Sequence, residues 1–242
     1  MIKAFNNLKN IFLNLKHITC IVHALNRVCE SIREKYFEVN QFILNMKKVL
    51  KKSPYRQNLF RESTGLSLPP NPVITRWNTW LKTANYYMKN FKKVEDFVEE
   101  LNPDSKAAKT VKVLIKSQSL QNELLKIHDF MFLTEIITKL QEPNKKLERQ
   151  LDLLEEAKAK LTDFAKEKLE ISLRKNPDLI SFTQNRDFTQ RVNDIYAPLV
   201  SVDVERSFSQ YKIILNDRRH SLSTENLIMI NCIQYNAFLN PE

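Results

Sequence analysis

Apolar residues recur at three- and four-residue steps along most of this chain, and that period predicts helices rather than strands. Ile2, Phe5, Leu8, Ile11 or Phe12 and Leu15 fall on one face of a helix over 2–15. Ile18 to Ile21 reads as one short strand. From Val22 to about Lys52 the helical period returns through Val28, Ile32, Tyr36, Phe42, Met46 and Val49. Pro54 is expected to end it, because proline has no amide proton to donate and clashes with the preceding turn. Further helices are predicted near 73–101, 105–116 and 118–141. After Pro143, Leu147, Leu151, Leu154, Leu161, Phe164 and Leu169 build a long amphipathic helix of nearly heptad spacing, for which packing within its own domain is favoured over a coiled-coil contact. Asn176 and Pro177 break it.

The C-terminal part carries two more apolar stripes. A short extended piece over Ile195–Val202 leads into a helix started by Ser201 and Asp203, with Val204, Phe208, Tyr211 and Leu215 on one face. A last amphipathic segment runs from Leu222 to Asn240, where Ser223 or Thr224 supplies the cap, Glu225 suits the positive end, and Leu227, Ile230, Ile233 and Phe238 form the stripe. A chain end can hardly bury two such helices alone, so Val204, Phe208, Leu215, Leu227, Ile230, Ile233 and Phe238 are candidate dimerisation residues.

Breakers and composition narrow the class. Ser63 to Pro72 holds three prolines and the single glycine, Gly65, and reads as a linker between residues 1–62 and a helical body over 73–185, followed by a C-terminal region over 186–242. One glycine in 242 residues argues against hairpin-rich β architecture and against a glycine-rich phosphate loop, both of which need positive φ. With 43% hydrophobic residues the chain has enough apolar surface for a core, and the fold class expected is mainly α, a helical bundle with at most one or two short strands. Three cysteines without framework spacing point to a reducing compartment, and neither a membrane-length apolar stretch nor a signal-peptide pattern is present, so a soluble, intracellular protein is expected.

A formal charge of +10 favours polyanionic partners, but it is unevenly spread. Lys47, Lys48, Lys51, Lys52, Arg56 and Arg61 form a basic cluster; Glu95, Asp96, Glu99 and Glu100 form an acidic one. Both are read as solvated helix faces or, for the basic cluster, as a non-specific nucleic-acid surface. His128 and His220 have no Ser or Cys at recognisable spacing, so no hydrolase triad is drawn. No cofactor, no small-molecule substrate and no membrane partner are expected.

Three ordered segments then resemble a known family. Cys20-Ile-Val-His23-Ala-Leu25-Asn26 is similar to the Cys-x-x-His-x-Leu-Asn motif of hAT-type DNA transposases, and Thr75-Arg76-Trp77-Asn78 to the Thr-Arg-Trp-Asn motif that opens their helical insertion. The stretch from Pro198 to Ser209, which includes Glu205, Arg206 and Phe208, resembles their C-terminal signature. Any one alone is weak; the three in order, from Cys20 to Asn236, are strong. The wording most resembles the transposase-derived group called CGG triplet repeat-binding protein-like, although the zinc finger that would justify such binding is not found in this sequence.

The resemblance implies a remnant of an RNase H-like domain in residues 1–62, insertion-type helices in 73–185 and a dimerisation region in 186–242. It places Glu205 at the third carboxylate of a metal-binding triad and Cys20 and His23 beside the former active site. Spacing alone would also allow Cys20 and His23 as metal ligands, but no second Cys/His pair completes a tetrahedral site, and no metal is expected. Two aspartates of the triad belong upstream of the Cys-x-x-His motif, whereas the first acidic residue here is Glu30. Such catalysis needs all the carboxylates to fix the metals. Glu205, with Arg206 beside it, is therefore read as a first-turn carboxylate, and His23 as a polar residue near the old site or a satisfied buried histidine. Arg76 and Trp77 match residues that hold DNA ends in the family, while Trp77 and Trp80 read more simply as helix-packing residues. The expectation is a catalytically inactive, N-terminally incomplete, nuclear hAT-derived protein that acts by self-association or with a related protein. Non-specific DNA binding through Lys47, Lys48, Lys51, Lys52, Arg76 and Trp77 is the alternative, and an active transposase whose aspartates lie outside this chain the less favoured third.

Overall fold

Serine caps and amphipathic stripes set the helices. A computed structural model of the chain describes residues 18–51, 53–73, 78–143, 145–176, 178–179 and 199–201, with scattered positions over 7–16 and 223–233. Among them are α1 (Ile21–Lys35), α2 (Phe37–Lys51), α3 (Pro54–Thr64), α4 (Asn78–Lys89), α5 (Phe91–Glu100), α6 (Lys106–Leu114), α7 (Gln118–His128), α8 (Phe132–Leu140), α9 (Leu147–Lys160) and α10 (Asp163–Arg174). The protein is mainly helical, and among the described residues the only strand-like position is an isolated bridge at Val73. The chain divides into two compact units, Met1–Leu199 and Val200–Glu242.

In the first unit, α2 packs against α1, α3, α4, α6 and α7; α1 also receives α8 and α10, and α4 receives α7 and α8. The stripes meet as the sequence predicts: Val28, Ile32, Phe42, Met46 and Val49 are all buried. Aromatic edges lock the layers, with Phe42 against Tyr87 at 5.1 Å and Phe60 against Phe97 at 5.0 Å between ring centroids, both edge-on. Trp80 is buried in this core, in keeping with its reading as a packing residue.

Several expectations are corrected. Ile18–Cys20 form no strand, and Ile21 already opens α1, because Ile21, Val22, Leu25 and Val28 continue one buried helical stripe. The preceding helix stops at Lys51, ahead of Pro54, as expected, and Pro54 also opens α3, where its missing N–H is harmless, behind Ser53 whose hydroxyl accepts the Arg56 N–H at 3.3 Å. The predicted helix over 73–101 is divided at Asn90, and that over 118–141 at Asp129–Met131. The long helix after Pro143 breaks at Leu161–Thr162, with Asp163 at φ 48° opening α10. Its two pieces pack within the first unit, α9 on α8 and α10 on α1. Lys35 lies over the Phe164 ring at 3.9 Å from its centroid, a cation–π contact that covers the half-buried ring.

Residues 65–72 are a strap rather than a spacer. Gly65 terminates α3 in the left-handed conformation (φ 66°), its N–H donating to Arg61 O at 2.9 Å. Beyond it, the Tyr86 hydroxyl donates to Ser67 O and the Thr83 hydroxyl to Pro70 O (2.9 Å), fastening the strap to α4. Helices from both sides of the strap share the core around α2. The predicted helix over 2–15 and the signature helix after Ser201 lie largely outside the described residues.

Glu123 of α7 supplies a cap from another part of the chain, since its carboxylate accepts the Val39 N–H in the first turn of α2 at 3.1 Å. Nearby, Ser117 donates to Glu38 at 2.7 Å while accepting the Leu120 N–H that starts α7. Burial is the largest influence on the Glu123 carboxyl and pushes its pKa up, against the backbone donors that favour its charged form. A raised carboxyl pKa means that the folded state holds this proton more tightly than the unfolded chain. Its contribution to stability is thus fully present below the ordinary carboxylate range and is lost as pH rises through the folded value. Glu123→Gln, which keeps an acceptor oxygen, is expected to remove this pH dependence. Glu123→Ala is expected to cost about 1 kcal/mol through loss of the cap at any pH. Urea unfolding between acidic and neutral pH checks both; an Ala variant as stable as the parent contradicts the capping role.

Candidate functional site

The start of α1 has no acidic residue in its first turn and no side-chain cap, so its open N–H groups need partners from elsewhere. One comes from far along the chain: Ile21 N–H donates to Leu199 O at 3.0 Å. Leu199 N–H in turn donates to Gln150 Oε1 at 2.9 Å, and Gln150 Nε2 donates to Lys145 O at 2.9 Å. Just before α1, Thr19 N–H donates to Asn176 Oδ1 at 2.9 Å, while Asn176 Nδ2 donates to the Thr19 hydroxyl. One turn into α1, Asn26 Nδ2 donates to Val22 O at 3.0 Å and its Oδ1 accepts the Asn78 N–H that begins α4, at 3.3 Å. Gln150, Asn176, Asn26 and Asn78 are all buried.

These bonds bring together pieces of all three motif segments. Cys20 to Asn26 forms the first turns of α1; Asn78, the last residue of the Thr-Arg-Trp-Asn segment, is held by Asn26; and Leu199, at the head of the C-terminal signature, closes on Ile21. Cys20 stands half-buried at the N-cap of α1. His23 is exposed on α1, so the buried-histidine reading does not hold. Cys29, one stripe position inward, is wholly buried, and burial pushes its thiol pKa up to about 12, which leaves it an apolar packing group and not a nucleophile. Among the described residues, no three His, Cys, Asp or Glu side chains are grouped so as to hold a metal ion. Glu205, Arg76 and Trp77 lie outside the described residues.

The described residues of the basic cluster are divided between α2, which carries Lys47, Lys48 and Lys51, and α3, which carries Arg56 and Arg61. Lys47 is half-buried, and Lys48 and Lys51 are exposed; Lys52 lies outside the described residues. Arg56 leaves the cluster by pairing with Asp104. The acidic run on α5 is partly neutralised by Lys92, 2.9 Å from Glu95 and 3.2 Å from Asp96.

In the second unit, Ser223 accepts the Asn226 N–H at 3.2 Å and so provides the predicted cap, and the described positions among Glu225–Ile233 are helical. Ile233 is exposed and Ile230 half-buried. Ile228, Met229 and Cys232, which were not singled out in the sequence, are exposed beside them; the signal was their spacing, one turn apart in the pairs Ile228–Cys232 and Met229–Ile233. Val204, Phe208, Leu215, Leu227 and Phe238 lie outside the described residues. Among the described residues no helix is long and apolar enough to cross a membrane.

Comparison with protein-family models, with curated proteins and with solved structures gave no match.

Asn26 makes the side-chain contact between the first two motif segments. Asn26→Ala leaves the Asn78 N–H buried without its partner and is expected to lower unfolding stability by about 1–3 kcal/mol. Asn26→Asp keeps an acceptor oxygen for the start of α4 but buries a charge and loses the Val22 bond, so it should also destabilise the fold. Denaturant midpoints measure both, and an Ala variant within error of the parent contradicts the role given to Asn26.

Proposed function

We propose that this chain is an hAT transposase-derived protein that has no strand-transfer activity of its own and works by protein–protein association through its C-terminal region. The family reading is supported by the buried bonds joining Asn26 to Asn78 and Ile21 to Leu199, which place parts of three separate motif-like segments around one helix start. What supports the absence of strand-transfer activity in these residues is that none of Met1–Cys29 is acidic, whereas catalysis of this type needs several carboxylates to hold its metals.

The observation that carries association is the apolar ridge of the second unit. Ile228, Met229 and Ile233 are 58%, 58% and 62% exposed on helical backbone, with exposed Cys232 between them. Large apolar side chains grouped on one helical face gain free energy when a partner removes them from water, at roughly 25 cal/mol per Å² of apolar surface covered. The occupant that fits this reading is a second copy of the chain or a related hAT-derived protein.

A second reading, non-specific DNA binding, rests on Lys48 and Lys51, exposed on α2 with no acidic partner among the described residues. Salt separates the two. Association of the purified chain at tens of micromolar, a concentration suited to an ordinary interface, should persist in high salt and disappear in Ile228→Asp/Ile233→Asp. Light scattering reads it, and a parent chain that stays monomeric contradicts self-association. If phosphate binding is instead the working property, affinity for unrelated duplexes falls steeply with salt, and Lys48→Gln/Lys51→Gln flattens that slope by roughly two counterions.

A further inference from the structure

The strap and α2 enclose an open groove of about 230 Å³. Ile43 and Leu50 of α2 and Tyr87 of α4 are buried in its floor, and Leu68 and Pro69 face them from the strap. Two neutral polar side chains of the lining are already engaged: Thr83 donates to Pro70 O at 2.9 Å and Gln57 Nε2 donates to Leu50 O at 3.0 Å. Two lysines also line the groove, Lys47 and Lys51, one turn apart on α2. Neither has an ion-pair or hydrogen-bond partner among the described residues. Like charges at this spacing on a helix repel, and an anion between them relieves the repulsion.

The groove thus asks for two things at once. A small inorganic anion would meet the lysines and leave the floor covered only by water. An uncharged hydrocarbon would cover the floor and leave the ammonium groups uncompensated. We propose that the groove binds an amphipathic organic carboxylate, its apolar body on Ile43, Leu50 and Tyr87 and its carboxylate between Lys47 and Lys51. Apolar cavities of about 150 Å³ take up benzene, so this larger space suits one substituted aromatic ring or a short acyl chain. The inference is independent of the association reading: the groove belongs to the unit Met1–Leu199 and the ridge to Val200–Glu242.

Octanoate is the probe, with octanol as the same body without the charge and acetate as the charge without the body. Backbone amide shifts of the isotope-labelled full chain are followed during each titration. Octanoate is expected to move amides of 43–51, 66–72 and 83–87 in a saturable way, octanol to move the same set with weaker affinity, and acetate to leave the floor amides unmoved. Lys47→Gln/Lys51→Gln should weaken octanoate by about threefold to fivefold, the scale of an exposed charge contact, and leave octanol unchanged. Leu68→Trp, on the half-exposed strap, should block both ligands without touching the core. Octanoate shifts confined to other surfaces, equal octanoate affinity in the double Gln variant, or octanol binding as tightly as octanoate would each overturn the proposal.

Discussion

A buried amide N–H that loses its partner costs about 1–3 kcal/mol, and the start of α1 is arranged around avoiding that loss. This helix begins inside the fold with neither a capping side chain nor a first-turn carboxylate. Its needs are met by segments distant in sequence: Leu199 accepts from Ile21, Asn176 brackets Thr19, and Asn26 passes the obligation on to the first turn of α4. Gln150 extends the chain of bonds into α9 by holding Leu199 N–H and Lys145 O together. Each amide side chain both donates and accepts, so Asn26 and Gln150 each satisfy two backbone groups in different segments while Asn176 holds Thr19 alone. The packing of α8 and α10 on α1, and of α9 on α8, is consistent with this one set of bonds.

The helical content was legible because burial follows the helical period almost everywhere. Val28, Ile32, Phe42, Met46 and Val49 point inward, as do Leu147, Leu151, Leu154, Leu161 and Leu169. The breaks were not legible, for a reason visible in the stripes: Tyr87 and Val94 stand in phase on either side of Asn90, and Ala157, Leu161 and Ala165 stay in step through the α9–α10 corner. A period count cannot see a turn that preserves the phase. The predicted helix starts near 105 and 118 hold, and there the Ser105 and Ser117 hydroxyls accept the N–H groups of Ala108 and Leu120. Asn26 and Gln150 gave no comparable signal, since a polar residue on an apolar stripe announces a buried bond but not its partner, and Asn176 read only as a helix breaker.

The proline-rich segment illustrates a different gap. Leu68-Pro69-Pro70-Asn71-Pro72 has the composition of a linker, and only the bonds from Tyr86 and Thr83 turn it into the wall of a groove. Likewise the four-lysine cluster reads as one charged face, whereas Lys47 and Lys51 turn toward apolar surface and Lys48 does not line the groove. Lysine suits both settings, because its long aliphatic stem can lie on apolar surface while its ammonium stays near water.

Native-state hydrogen exchange at three backbone amides tests most directly whether the start of α1 is the point on which the first unit depends. The N–H groups of Ile21, Leu199 and Asn78 are bonded across segments that nothing else in their local sequence holds together. They are predicted to exchange only through global unfolding, with protection that falls with denaturant as steeply as the protection of the core amides of α2 and α4. Exchange of any of the three through a low-cost local opening, while α2 and α4 remain protected, would contradict the account.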